Sequence, residues 1–235
     1  MSKKTLLTLT VLALASVTAF AASKGGVVLS RDGRITIATK RAHAVTRTAS
    51  SDVGLVKIFG NIGTAYPKGK YWCCEGYTIT GPTALSGFPE YWEAGAFTPK
   101  ANHTVTKVEV AAGFVEGTNG LVLSINDDAS GVPGAAIKTW NLTGLPTFGS
   151  CCVVEVKGAK AGIPVKAGTQ YWIVLSTNSS ESNTWATFDV NDTDQVDAAP
   201  TAFYCSQDVG GTCSANDAWT ASKSVPGPAF AVLGK

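Results

Sequence analysis

Past residue 54 the chain consists of short apolar runs broken by glycine, proline and asparagine, the rhythm of strands joined by tight turns. Residues 104–112 alternate, with Thr106, Val108 and Val110 on one face and Lys107 and Glu109 on the other, as a half-buried strand does. Leu121, Leu123 and Ile125 form a second inward row opposite Val122, Ser124 and Asn126. The turn Gly131-Val132-Pro133-Gly134 leads into a strand at 135–142. Residues 152–156 then put Cys152, Val154 and Val156 on one side and Glu155 on the other. Residues 171–176 are apolar on both faces, which places them centrally in a sheet. Residues 54–59, 184–190 and 228–233 complete the set. No amphipathic pattern sustains three helical turns. The Gly-rich stretches 60–95 and 205–227 read as long ordered loops. The pattern predicts an all-β, antiparallel sandwich.

The first residues follow a different rule. Lys3 and Lys4 precede an apolar run from Leu6 to Val17, and Ala19-Phe20-Ala21 has the small-x-small pattern of a cleavage site. Residues 1–21 are thus expected to be a secretory signal peptide. The run is shorter than the roughly 20 apolar residues of a spanning helix, and no later segment suggests one. The expected localisation is secreted, extracellular or cell-envelope associated.

Charge follows from that division. Loss of Lys3 and Lys4 lowers Lys+Arg from 19 to 17, equal to the 17 Asp+Glu. A neutral chain lacks the field that gathers nucleic acid, so that partner class is excluded. Residues 22–53 form a Ser/Thr/Ala-rich basic extension with a short β-like run at 35–39, read as a solvated leader to the domain at 54–235. Its basic side chains give it the alternative of docking on a polyanionic surface or a neighbouring subunit.

All six cysteines lie beyond the leader: Cys73, Cys74, Cys151, Cys152, Cys205 and Cys213. In an oxidising compartment they are expected to form disulfides rather than a zinc site, whose usual C-x₂₋₄-C spacing is absent. One or two bridges between the 73/74 and 151/152 pairs, with Cys205–Cys213 closing a small loop, is the economical arrangement among 15 possibilities.

Three strings together resemble one family. Asn126-Asp-Asp-Ala-Ser-Gly-Val-Pro-Gly-Ala-Ala-Ile137, Leu145-Pro-Thr-Phe-Gly-Ser-Cys-Cys152 and Lys166-Ala-Gly-Thr-Gln-Tyr-Trp-Ile-Val-Leu175 resemble the secreted bacterial β-sandwich domains called choice-of-anchor R. The opening Phe59-Gly-Asn-Ile-Gly-Thr64, the Phe97-Thr-Pro99 step and the closing Ala229-Phe-Ala-Val-Leu-Gly234 fit the same pattern. The resemblance spans about residues 55–235 and implies a jelly-roll-like, disulfide-stapled sandwich exposed outside the cytoplasm. It supplies no catalytic residues. With no hydrophobic tail or sorting motif before Lys235 and no cysteine directly following the leader, attachment is expected to be non-covalent.

Catalytic chemistry finds little footing. His43 and His103 have no recognisable context, and no G-x-S-x-G elbow is present. Glu90 and Glu93 flank Tyr91-Trp92 but share one short segment, so they read as surface charge rather than a glycosidase pair. An enzyme is disfavoured. Asn126–Gly131 reads as an Asx-stabilised turn. Asp189, Asp192, Asp194 and Asp197 make the densest acid cluster and are the candidate ligands of a structural calcium, with no other cofactor expected. The aromatics carry the main functional lead. Tyr171-Trp172 reads as core, whereas Tyr91, Trp92, Trp185 and Trp219 are candidates for a ligand-stacking surface. The expectation is an exported, non-catalytic module that binds a carbohydrate or envelope polymer. The alternative is a structural or adhesive subunit that self-assembles, with its N-terminal arm adding a strand to a neighbour.

Overall fold

The computed structural model describes residues 22–24, 26–38, 43–45, 54–62, 71–150, 153–158, 161–191, 199–209 and 218–235. Residues 1–21, expected as the leader, and Cys151, Cys152, Cys213, Asp192, Asp194 and Asp197 lie outside these residues.

Four short strands precede the domain: β1 (Ala22–Lys24), β2 (Val27–Leu29), β3 (Arg34–Ile37) and β4 (His43–Val45). They are followed by β5 (Val56–Gly60), β6 (Tyr71–Thr80), β7 (Tyr91–Phe97), β8 (His103–Glu116), β9 (Gly120–Asp128) and β10 (Pro133–Thr143). The remainder are β11 (Val153–Lys157), β12 (Ile163–Val165), β13 (Tyr171–Ser176), β14 (Trp185–Asn191), β15 (Thr201–Cys205), β16 (Ala218–Ser222) and β17 (Phe230–Gly234). Every strand pairing is antiparallel. The chain is all-β, and the helical content among the described residues is a single 3-10 turn at Ser179–Glu181.

One run of strands follows the order β10–β9–β13–β7–β15–β16. A second follows β5–β17–β8, with β11 and β12 on the other edge of β8. Strand β8 is long enough to change partners. Up to Ala111 it pairs with β11, and from Ala112 onward it pairs with β14, which continues to β6 and the N-terminal strands. The expected alternation holds inside this frame. Leu121, Leu123 and Ile125 of β9 and Tyr171, Ile173 and Leu175 of β13 share one buried cluster with Val108 and Val110 of β8 and Phe230 and Val232 of β17. Phe59 caps it, its ring stacked on Phe230 at 4.8 Å. Face-to-face burial of this kind is the arrangement of a sandwich.

The two long loops expected from glycine content are in fact interrupted by strands. Tyr71-Trp72 and Tyr91-Trp92 open β6 and β7, and Trp219 lies in β16. Glycine here serves close packing rather than looseness. A Cβ on Gly76 would lie 2.5 Å from the Phe188 carbonyl oxygen, and one on Gly95 would lie 2.5 Å from the Phe230 ring. Neighbouring backbone at Gly76 and a packed aromatic ring at Gly95 thus fill the space where side chains would stand.

The N-terminal extension is also ordered where it is described. β3 pairs with β6 through Arg34↔Tyr77 and Ile35↔Gly76, and β4 pairs with β6 through Ala44↔Trp72. Ile35, Leu29 and Val27 are buried against Phe148 and Trp185. Arg34 forms an ion pair with Glu75 and stands over the Tyr77 ring, its guanidinium 6.0 Å from the ring centre. The alternation Arg34-Ile-Thr-Ile37 therefore acts as a local strand that covers the body.

Candidate binding face

The registers of β7, β15 and β16 assemble a row of aromatic side chains. Trp92 pairs with Tyr204, and Tyr204 pairs with Trp219. Directly opposed residues in a sheet point to the same face, so three rings from three strands stand side by side. Trp92 and Tyr204 are stacked at 4.2 Å with an 18° interplanar angle. Trp219 is tilted, 6.4 Å from Trp92 and 5.9 Å from Tyr204. All three are half-buried. Trp92 donates its indole N–H to Thr177 Oγ1 at 3.1 Å, which fixes that ring.

The same face continues as a floor of small side chains. Ala94 and Ala96 of β7 lie beside Ala202 of β15, and Trp172 and Val174 of β13 pair with Ala96 and Ala94. These five residues form a buried cluster against which Trp219 packs. Trp172 donates its indole N–H to Asp128 Oδ1 at 2.8 Å, and Gln170 donates to the same oxygen at 2.6 Å. Asp128 Oδ2 accepts from the Gly131 backbone N–H at 3.0 Å, so the 126–131 loop is closed by an Asx-type contact. Partial burial pushes the Asp128 carboxyl up, but the bonds from Trp172, Gly131 and Gln170 outweigh it and hold the carboxyl below its usual range.

Two of the four sequence candidates meet on this face and two do not. Trp92 and Trp219 come together. Tyr91 is fully buried, its ring 5.4 Å from Phe88 and 5.6 Å from Phe203. Trp185 is 1% exposed and packs beneath the N-terminal hairpin. Strand alternation separates Tyr91 from Trp92, and the covering hairpin buries Trp185. Tyr204, which completes the row, was not among the sequence candidates. Its signal is the alternation in Thr201-Ala-Phe-Tyr-Cys205, a stretch that the sequence alone assigns to no element.

The acids are also redistributed. Glu93, expected at the surface, is fully buried in β7, and neither carboxyl oxygen has a hydrogen-bond partner among the described residues. Burial, reinforced by the nearby Asp189 charge, pushes its carboxyl well above the usual range. Asp189 of β14 is buried too and is likewise pushed up, against the opposing bond it accepts from Thr187 Oγ1 at 2.9 Å. Asp189 thus faces the protein interior as a poor anion, not an open acidic loop. No group of three or more His, Cys, Asp and Glu side chains suited to a metal occurs among the described residues.

Cys205 is disulfide-bonded. Cys74, expected as a half-cystine, is buried, and its Sγ lies 3.9 Å from the Gly149 carbonyl oxygen. Its backbone has a positive φ of 79°, which an L side chain adopts reluctantly.

No protein-family model matches the chain, and no curated protein is significantly similar to it.

Proposed function

We propose that the protein is an exported, non-catalytic β-sandwich module that binds a carbohydrate or surface polymer through the row Trp92, Tyr204 and Trp219. The observation that carries this reading is the cross-strand assembly of three half-buried rings beside an alanine floor. Aromatic faces are weakly hydrated and flat, with polar handles at their edges. A sugar ring presents a matching C–H face, which would stack on the ring faces that the Trp92–Tyr204 stack leaves uncovered. Placement on paired strands keeps the ring spacing rigid, so little conformational entropy is lost on binding.

Export rests on the leader pattern, and the jelly-roll topology and the wider disulfide framework rest on the family resemblance. A structural calcium near Asp189 stays part of the proposal only through the acids at 192–197. The assembly alternative draws less support, because β3 and β4 already pair with β6 of the same chain.

Affinity electrophoresis of the oxidised chain through gels containing soluble polysaccharides tests the reading. Retardation by at least one polymer that disappears in Trp219→Ala supports it. Equal mobility in every gel, with the protein folded, removes it.

A further inference from the structure

The row of rings does not stop at β7. In β13, Ser176 follows Leu175, which pairs with Glu93, so Ser176 stands level with Trp92 on the outer face of the sheet. Ser176 pairs in turn with Val122 of β9, and Val122 with Asn141 of β10. One strip therefore crosses all six strands in the order Asn141, Val122, Ser176, Trp92, Tyr204, Trp219. Five strand spacings make it about 24 Å long. Asn141 is exposed and the other five residues are half-buried. Neither Asn141 nor Ser176 has a side-chain hydrogen bond among the described residues.

The strip also carries no charge. The six strands contain four charged side chains, Glu93, Asp127, Asp128 and Lys138, and none of them lies on it. Glu93 is buried on the inner side. Lys138 stands opposite the core residue Ile125, with its ammonium 5.9 Å from the Trp140 ring centre. Asp128 is held by Trp172, Gln170 and Gly131 at the far end of β9, and Asp127 beside it lies against Gly134. A charged polymer laid along the strip would give up hydration and meet no opposite charge. An uncharged sugar chain loses little there, because its hydroxyls exchange water for the Ser176 hydroxyl and the Asn141 carboxamide while its C–H faces lie on the rings.

We propose that the strip binds an uncharged linear polysaccharide lying across the strands, with Ser176 and Asn141 as hydrogen-bonding contacts beyond the rings. The inference rests on the sugar-binding reading of the Trp92–Tyr204–Trp219 row and adds the class of polymer, its direction and two further contact residues.

Affinity electrophoresis of the full oxidised chain in gels of galactomannan, hydroxyethylcellulose or mixed-linkage β-glucan, which are neutral, is compared with gels of anionic polygalacturonate and cationic glycol chitosan. Ser176→Ala, Asn141→Ala and Trp219→Ala proteins of matched Tm run alongside the parent. At least one neutral polymer is expected to retard the parent more than either charged one. Ser176→Ala and Asn141→Ala are each expected to weaken that binding about two- to fivefold, the effect of one net hydrogen bond at an accessible position. Stronger retardation by polygalacturonate or glycol chitosan overturns the inference. So does neutral-polymer binding that Trp219→Ala abolishes and the other two variants leave intact; in that case the three rings remain a sugar site without the extension. Equal mobility of the folded parent in every gel removes both readings. If Ser176→Ala does not fold, the fully exposed Asn141→Ala carries the comparison.

Discussion

Replacing Glu93 with Gln is expected to stabilise the protein at neutral pH and to leave it nearly unchanged in mild acid. Glu93 is fully enclosed, its carboxyl oxygens lack partners among the described residues, and burial followed by the Asp189 charge raises its carboxyl well above the usual 4.5. In the unfolded chain the group ionises near that usual value, while in the folded protein it keeps its proton to a higher pH. Between the two values the folded state holds more protons, so stability falls as pH rises. The stabilisation is complete below the unfolded value and is lost on the way up to the folded one. Each pH unit in that window costs about 1.4 kcal/mol for one group, so the loss grows as pH rises from mild acid toward neutrality. Gln has the same shape and cannot ionise. For a chain of this size 1 kcal/mol moves Tm by about 2–4 °C, which predicts a Tm gain for Glu93→Gln at pH 7 that shrinks as pH falls to 5. Calorimetric melting of both proteins across that range measures it. A variant less stable than the parent by the same amount at both pH values, beside a parent whose stability does not fall with pH, would falsify the reasoning, because it would show Glu93 ionised and compensated.

Other substitutions probe separate parts of the account. Trp219→Ala is expected to keep Tm within a few degrees, since the side chain is half-exposed, while abolishing polymer retardation. Asp128→Ala removes the acceptor shared by Trp172, Gln170 and Gly131 and is expected to cost about 1 kcal/mol by chemical denaturation; wild-type stability would mean that those contacts do not form in solution. Gly76→Ala places a methyl group against backbone that cannot step aside and should cost about 3 kcal/mol or prevent folding, whereas a neutral result would mean that β6 and β14 are farther apart. Mass spectrometry of the unreduced protein after alkylation is expected to leave Cys205 unlabelled; an alkylated Cys205 would exclude its disulfide.

Much of the frame was legible along the chain, and the parts that were not share a cause. The rows Val108–Val110 and Leu121–Leu123–Ile125 were readable because one buried face imposes a two-residue period on nearby positions, and the central strand at 171–176 because it is apolar on both faces. Strands β6 and β7 were obscured by Gly76 and Gly95, which serve close packing there although glycine elsewhere marks loops, and β16, which has no glycine, was hidden by the Gly-rich stretch around it. Burial of Tyr91, Glu93 and Trp185 could not be read locally, because it depends on the hairpin at 27–37 and on strands more than 80 residues away. The binding face was half visible. Trp92 and Trp219 stood out as tryptophans, but Tyr204 became significant only through its register between them.

The central claim is tested most directly by a glycan array probed with the oxidised mature chain, alongside Trp92→Ala and Trp219→Ala proteins of matched fold. Saturable binding to one class of polymer, lost in both variants, is the predicted result. An array without signal for the folded parent, or binding that both variants retain, would contradict it.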